Sequence, residues 1–294
     1  MGSLQKWGRS LNLSAVFLDL FKPTQTAFLV LSGIIAYIMS SGGNIDLAIL
    51  AILTISLYFT IAGTTGFNMY LDRDIDGIMK RTSKRALPSG KLKEKEALAF
   101  SSACLLIGFG ASALINFAVL LAGLLGTFID LVAYTYLLKR RTSLSVVVGS
   151  LAGGSPSLGG WLAHPGSPLS GGIVLMMIIS MWSLNHIWYI SSYYSEDYIR
   201  AKVPMFPIIV GREKTGAISI AVTLMMIALI ALLWTSKIVK LWTVALVSAI
   251  ALYLIALQLK YIRSSEKELA KKIFRGFTMF LGTTLILFAL STFI

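Results

Sequence analysis

Asn68, Asp72 and Asp76 recur every fourth residue within FNMYLDRDIDGIMKRTSKRALPSG, residues 67–90. At 3.6 residues per turn, positions four apart drift by only about 40° around a helix, so the three side chains share one face and their oxygens can converge on one cation. Lys80, Arg81, Lys84, Arg85 and Lys91 follow at once, with Pro88 and Gly90 as turn residues that close the segment. Carboxylates beside clustered bases suit a magnesium-bridged phosphate. Mg2+ keeps several waters and is held by one or two carboxylates plus substrate phosphates, while lysine and arginine balance the remaining charge. A solvated charged loop would account for the charge but not for the four-residue period.

The elements that must position this segment are membrane helices. Hydrophobic residues make up 56% of the chain and charged residues 13%, and the apolar residues fall in long runs rather than amphipathic stripes. The expected fold is all-α: one polytopic membrane bundle over residues 1–294, with nine spans at 24–42, 47–67, 97–115, 117–138, 144–163, 172–192, 215–234, 241–259 and 277–293, the last being the shortest. Residues 1–22 read as an interfacial helix ending at Pro23, because Asp19 and Lys22 interrupt their short apolar run and no small-residue cleavage site follows. The single cysteine, Cys104, rules out a disulfide framework and a cysteine zinc site. A net charge of +13 would suggest nucleic acid in a soluble protein. Here its distribution points to the lipid bilayer instead, with no nucleic-acid partner: 24 of the 26 lysines and arginines fall on one side of the expected spans, leaving Lys237 and Lys240 on the other. The positive-inside rule then puts the amino terminus and the Asp72 loop in the cytoplasm of a multi-pass cell-membrane protein, and the carboxyl terminus outside.

A second polar cluster leaves the sixth span on that same side: Tyr193, Tyr194, Ser195, Glu196, Asp197, Tyr198, Arg200 and Lys202, followed by Pro204, Pro207 and Gly211. It repeats the order of the first cluster, and two acidic mouths facing one another can complete a metal site; an ordinary loop with an aromatic belt is the alternative. Trp182, His186, Tyr189, Tyr193 and Asp197 form one stripe along the sixth helix, read either as ligand contact or as packing with a hydrogen bond between helices. Asp130 lies inside the fourth span about two turns below Lys139, where an acid must face protein or water, and pairing with a basic residue is the plain reading. Gly149 and Gly153 have the small-xxx-small spacing of close helix packing, with Pro156 bending the chain just after. Lys139, Arg140 and Arg141 are either orientation anchors or diphosphate contacts.

The N-x-x-x-D-x-x-x-D motif, nine spans and a second acidic loop after the sixth resemble the UbiA superfamily of intramembrane prenyltransferases. Within it, DRDIDGIMKRTSKRALPSG, YTYLLKRRTS followed by GSLAGGSPSLGGW, WSLNHIWYISSYYSEDYIRAKVPMFPIIVG and the opening FKPTQT are similar to the branch of protoheme IX farnesyltransferases, the haem O synthases. Ala86 and Asn185 stand where that branch usually has proline, and Tyr194 and Tyr198 where the wider superfamily often has acids. The resemblance implies transfer of farnesyl from farnesyl diphosphate to a vinyl group of haem b, with Mg2+ as cofactor and with haem-delivery or terminal-oxidase assembly partners. On that footing Asp72, Asp76 and Asp197 are the catalytic acids and, with Asn68, the metal ligands. Lys80, Arg81, Arg85, Lys139 and Arg140 are diphosphate contacts, and His186, Trp182, Tyr189 and Tyr193 line the haem site. An aromatic, quinone-precursor or lipid acceptor is the alternative, and a cation or phosphate transporter a more distant one.

Overall fold

The computed structural model describes residues 20–264 and 266–294. The interfacial helix expected over residues 1–22 therefore falls almost wholly outside the described residues. Among those described there are nine long helices, three short ones and no strand. The long helices are α1 (Pro23–Ser40), α2 (Leu47–Leu71), α4 (Glu94–Ile115), α5 (Phe117–Phe128, continued by a π-helix over Ile129–Leu138), α6 (Ser145–Leu162), α7 (Leu169–Tyr193), α10 (Arg212–Thr235), α11 (Leu241–Arg263) and α12 (Lys267–Phe293). The short ones are α3 (Arg73–Ile78), α8 (Ser195–Arg200) and α9 (Phe206–Val210).

Local chemistry sets several boundaries. Pro23 opens α1 with its φ already helical. The Asp46 carboxylate accepts from the amides of Ala48 at 2.8 Å and Ile49 at 3.2 Å, capping α2, and Asn116 accepts from the Val119 amide at 2.9 Å at the start of α5. Gly90, with φ +70°, closes the turn that the sequence assigned to it.

Eight of the long helices are long and apolar enough to cross a membrane. The ninth, α6, is rich in glycine and serine and makes up for its low hydropathy by burial among its neighbours. A Cβ on Gly160 would collide with the Gly33 backbone, so α6 and α1 touch at main-chain distance. Pro156 lies inside α6, as its place in the expected fifth span implies. α12, expected to be the shortest span, is 27 residues long because the charged stretch from Lys267 to Arg275 is helical and continues the apolar run. Beside His186, Asn185 is fully buried in a polar junction of α7, α10 and α11. Ser219 Oγ donates to its Oδ1 at 2.7 Å, its Nδ2 donates to Thr223 Oγ1 at 3.1 Å, and Gln258 Nε2 donates to Ser219 Oγ at 2.7 Å.

Candidate active site

Helix α2 ends at Leu71 and α3 begins at Arg73, so the acidic motif straddles a break at Asp72. The four-residue spacing survives because the Asp72 amide still donates to Asn68 O at 3.0 Å and the Asp76 amide to Asp72 O at 2.8 Å. All three side chains line one cavity of about 530 Å³. Its lining runs from Asp72 back along α2 to Ser56, roughly 24 Å at 1.5 Å per residue. The deep part is walled by apolar side chains such as Phe28, Leu57, Ile61 and Val119 and by the small residues of α5 and α6.

At the mouth each carboxylate holds a base. Lys139 Nζ donates to Asp72 Oδ2 through a short contact, and Arg85 donates to Asp76 Oδ2 at 2.6 Å. Asn68 Nδ2 donates to Thr135 Oγ1 at 2.7 Å, which leaves the amide oxygen for another partner. Asp72 Oδ1 is buried and has no hydrogen-bond partner among the described residues. Burial pushes the Lys139 ammonium down, but the Asp72 carboxylate outweighs it and the net shift is upward. The mouth can therefore exchange partners: a cation arriving at the carboxylates would release Lys139 and Arg85 toward its anion. Among the described residues no three His, Cys, Asp or Glu side chains converge closely enough to hold a metal unaided. Two carboxylates with an open oxygen and an amide oxygen fit Mg2+ whose remaining ligands are water and substrate phosphate.

A model of the UbiA prenyltransferase family matches residues 29–284. The chain belongs to that family. It is 41% identical over 276 residues to a protoheme IX farnesyltransferase of Thermofilum pendens, covering 93% of this chain and 97% of that one. It is 37% identical over 266 residues to the protoheme IX farnesyltransferase of Archaeoglobus fulgidus, covering 90% and 93%. Among solved structures, a digeranylgeranylglyceryl phosphate synthase superposes with TM-score 0.78 at 22% identity over 95% of this chain and 98% of its own. A UbiA homolog from Archaeoglobus fulgidus bound to DMAPP and Mg2+ superposes with TM-score 0.65 at 19% identity over 94% and 98%. These likenesses establish the fold.

Within this UbiA fold the expected site residues divide. Asn68, Asp72, Asp76, Arg81, Arg85, Lys139, Trp182 and His186 line the cavity. Asp197 does not. Its Oδ1 and Oδ2 accept from the backbone amides of Lys80 and Arg81, each at 3.0 Å, so it ties the loop after α3 to α8 and its carboxylate is already satisfied. The Lys80 side chain is exposed. Arg140 is turned away, bidentate to Asp74 at 2.6 and 2.7 Å and donating to Leu71 O at 2.9 Å. That hydrogen-bonded pair holds the Asp74 carboxyl below its ordinary value.

Tyr189 and Tyr193 also miss the cavity. Tyr189 is fully buried against Tyr261 and Phe277, and Tyr193 donates to Glu268 at 3.3 Å. The α7 residues on the cavity are Trp182, Ser183, His186, Ile187 and Ile190. At 100° per residue that face is centred about 80° round the helix from Trp182, while the aromatic stripe points at α12. His186 sits on the seam: its ring stacks on Trp182 with centroids 5.2 Å apart, and its Nδ1 meets Phe274 O of α12 at 3.1 Å.

Four titratable cavity residues were missing from the expected site. Lys22 adopts the left-handed conformation, φ 43°, in front of Pro23, and its ammonium is pushed down to about 8 by burial and then by Arg85. Tyr134 and Tyr198 complete the mouth, with Arg81 donating to the Tyr198 hydroxyl at 3.5 Å. A Cβ on Gly149 would lie 2.7 Å from the Tyr134 ring, so the small-residue spacing in α6 makes room for that ring. The fourth is Asp130, noted in the sequence without a role. The signal that could have found Lys22 is a basic residue immediately before a proline that starts a span.

Proposed function

We propose that this chain transfers the farnesyl group of farnesyl diphosphate to a vinyl group of haem b, giving haem O and diphosphate. The observation that carries the reading is the single cavity that joins a charged mouth to an apolar interior with Trp182 and His186 on one wall. The activity printed in the names of the relatives supports the choice of substrates.

Asp72 and Asp76, with Asn68 Oδ1, would hold Mg2+; when bound, the ion supplies Lewis-acid stabilisation of charge on the diphosphate. Lys22, Arg81, Arg85 and Lys139 balance the rest: four cations and three carboxylates line the cavity, a surplus suited to an anion. The allylic carbon–oxygen bond breaks with its electron pair on diphosphate. The terminal vinyl carbon then bonds to the allylic carbon, and water adds to the cation left on the carbon beside the porphyrin. Phe28, Leu57 and Ile61 house the isoprenoid tail and keep water from the first cation.

His186 is placed for the porphyrin. If Nδ1 donates to Phe274 O, the Nε2 lone pair is left for iron. His186 lies seven residues before the end of α7, roughly 10 Å below the mouth and beyond reach of the diphosphate. Asp197 acts on the loop rather than on the ion, and carries Arg81 with it. The mouth faces the cytoplasm, since the loops at that end carry nearly all the lysine and arginine.

Purified protein incubated with haem b, Mg2+ and prenyl diphosphates of several lengths, read by mass spectrometry, tests both substrates at once. A hydroxyfarnesyl adduct of haem b is expected. Prenylation of an aromatic acid or lipid phosphate in its place would refute the acceptor.

A further inference from the structure

Asp130 has no part in the chemistry described so far. It stands on the π-helical stretch that continues α5, inside a span, and faces the cavity. Among the described residues it makes no hydrogen bond and no ion pair. An acid at that depth is expensive and is kept in membrane helices where it faces protein or a polar cavity. The metal motif does not account for it. Asp130 lies nine residues before Lys139, which holds Asp72, and so sits about two turns of this wider helix deeper.

Two further features mark the place. The backbone bonds here close at five residues, as in Lys139 N donating to Tyr134 O at 2.8 Å, a widening rare in proteins and frequent at functional positions. One turn before Asp130, Thr127 shares a 3.1 Å hydroxyl–hydroxyl bond with Thr64, and both line the cavity. A carboxylate and two hydroxyls supply the polar partners that a held water requires.

We propose that Asp130 is the general base of the hydration step, an inference that rests on the reaction proposed above. After the carbon–carbon bond forms, the positive charge lies on the carbon beside the porphyrin. The water oxygen bonds to that carbon while its proton passes to the Asp130 carboxylate, and from there to solvent. Diphosphate has already left with its electron pair, so the step requires only water. The other charged cavity residues are Lys22, Asp72, Asp76, Arg81, Arg85 and Lys139; the charges of Lys22, Lys139 and Asp72 reach Asp130, and all six are assigned above to the metal and the diphosphate. His186 is the one other deep group able to accept a proton, and its free nitrogen is committed to the iron in the proposed complex.

In Asp130→Asn, farnesyl diphosphate binding and diphosphate release should persist while hydration slows on the order of 100-fold, the contribution of a positioned base. The cation is then quenched by loss of a proton from the adjacent methylene to diphosphate. Mass spectrometry should show an adduct lighter by one water, and Asp130→Glu should restore hydrated product, a change in product ratio that a purely structural role would not cause. Hydrated product from Asp130→Asn in the wild-type ratio would overturn the proposal, as would loss of farnesyl diphosphate binding in that variant. If wild-type protein forms no haem adduct at all, it is the reading of the acceptor that has failed.

Discussion

Replacing Asp197 by asparagine separates two roles for this acid. Its two oxygens accept from the amides of Lys80 and Arg81 at 3.0 Å each. Asparagine offers one carbonyl oxygen in that space, so one amide loses its acceptor and the other keeps only a neutral one. A hydrogen bond to a charged group contributes about 1.5–3 kcal/mol, so the closed loop should be weakened by roughly 10- to 150-fold. Arg81 lines the cavity from that loop, and farnesyl diphosphate affinity should fall by up to the same factor. The Mg2+ concentration needed for half-maximal turnover at saturating farnesyl diphosphate should not change. Hydrogen exchange at the Lys80 and Arg81 amides, read beside a Mg2+ titration, checks both statements. Unchanged exchange together with a raised Mg2+ requirement would refute the reasoning and return Asp197 to the metal.

Asp76→Asn should abolish turnover while the protein stays folded in detergent, because the side chain belongs to the cavity mouth; near-normal turnover at limiting Mg2+ would remove it from the site. Lys22, with its ammonium lowered to about 8 in the empty protein, should regain an ordinary value beside a diphosphate. Binding then takes up a proton above pH 8, so diphosphate affinity should fall as pH rises, by at most about tenfold per unit, and the fall should vanish in Lys22→Gln. His186→Ala should weaken haem binding and alter the iron-ligation spectrum while leaving Mg2+-dependent farnesyl diphosphate binding intact; an unchanged spectrum would make the histidine structural. A cysteine near Lys93 should be labelled only from the cytoplasmic side and one near Pro165 only from outside, and the opposite pattern would invert the mouth.

The helices were legible because long apolar runs admit few alternatives, and the acidic motif because a four-residue period survives even the break at Asp72. What the sequence hid depended on relations between distant segments. The partners of Asp197 are amides more than a hundred residues away, and no side-chain pattern announces them. The stripe through Tyr189 and Tyr193 is real, but a stripe does not say which neighbour it faces; here it is α12, and the cavity lies a quarter-turn round. Arg140 and Lys139 are adjacent and chemically alike, yet the helical turn between them sends one to Asp74 on the surface and the other to Asp72 in the cavity. Charged residues at the start of α12 masked its length, because hydropathy registers the apolar run and not the helix that carries it.

The central claim is that the carboxylates of the α2–α3 junction bind a prenyl diphosphate through Mg2+. Calorimetric titration of farnesyl diphosphate into wild type and Asp72→Asn, with and without Mg2+, measures it directly. In wild type Mg2+ should tighten diphosphate binding more than tenfold, and farnesyl diphosphate should tighten Mg2+ binding by the same factor, as linkage requires; in Asp72→Asn the coupling should disappear. Equal diphosphate affinity with and without Mg2+ in the wild-type protein would contradict the account.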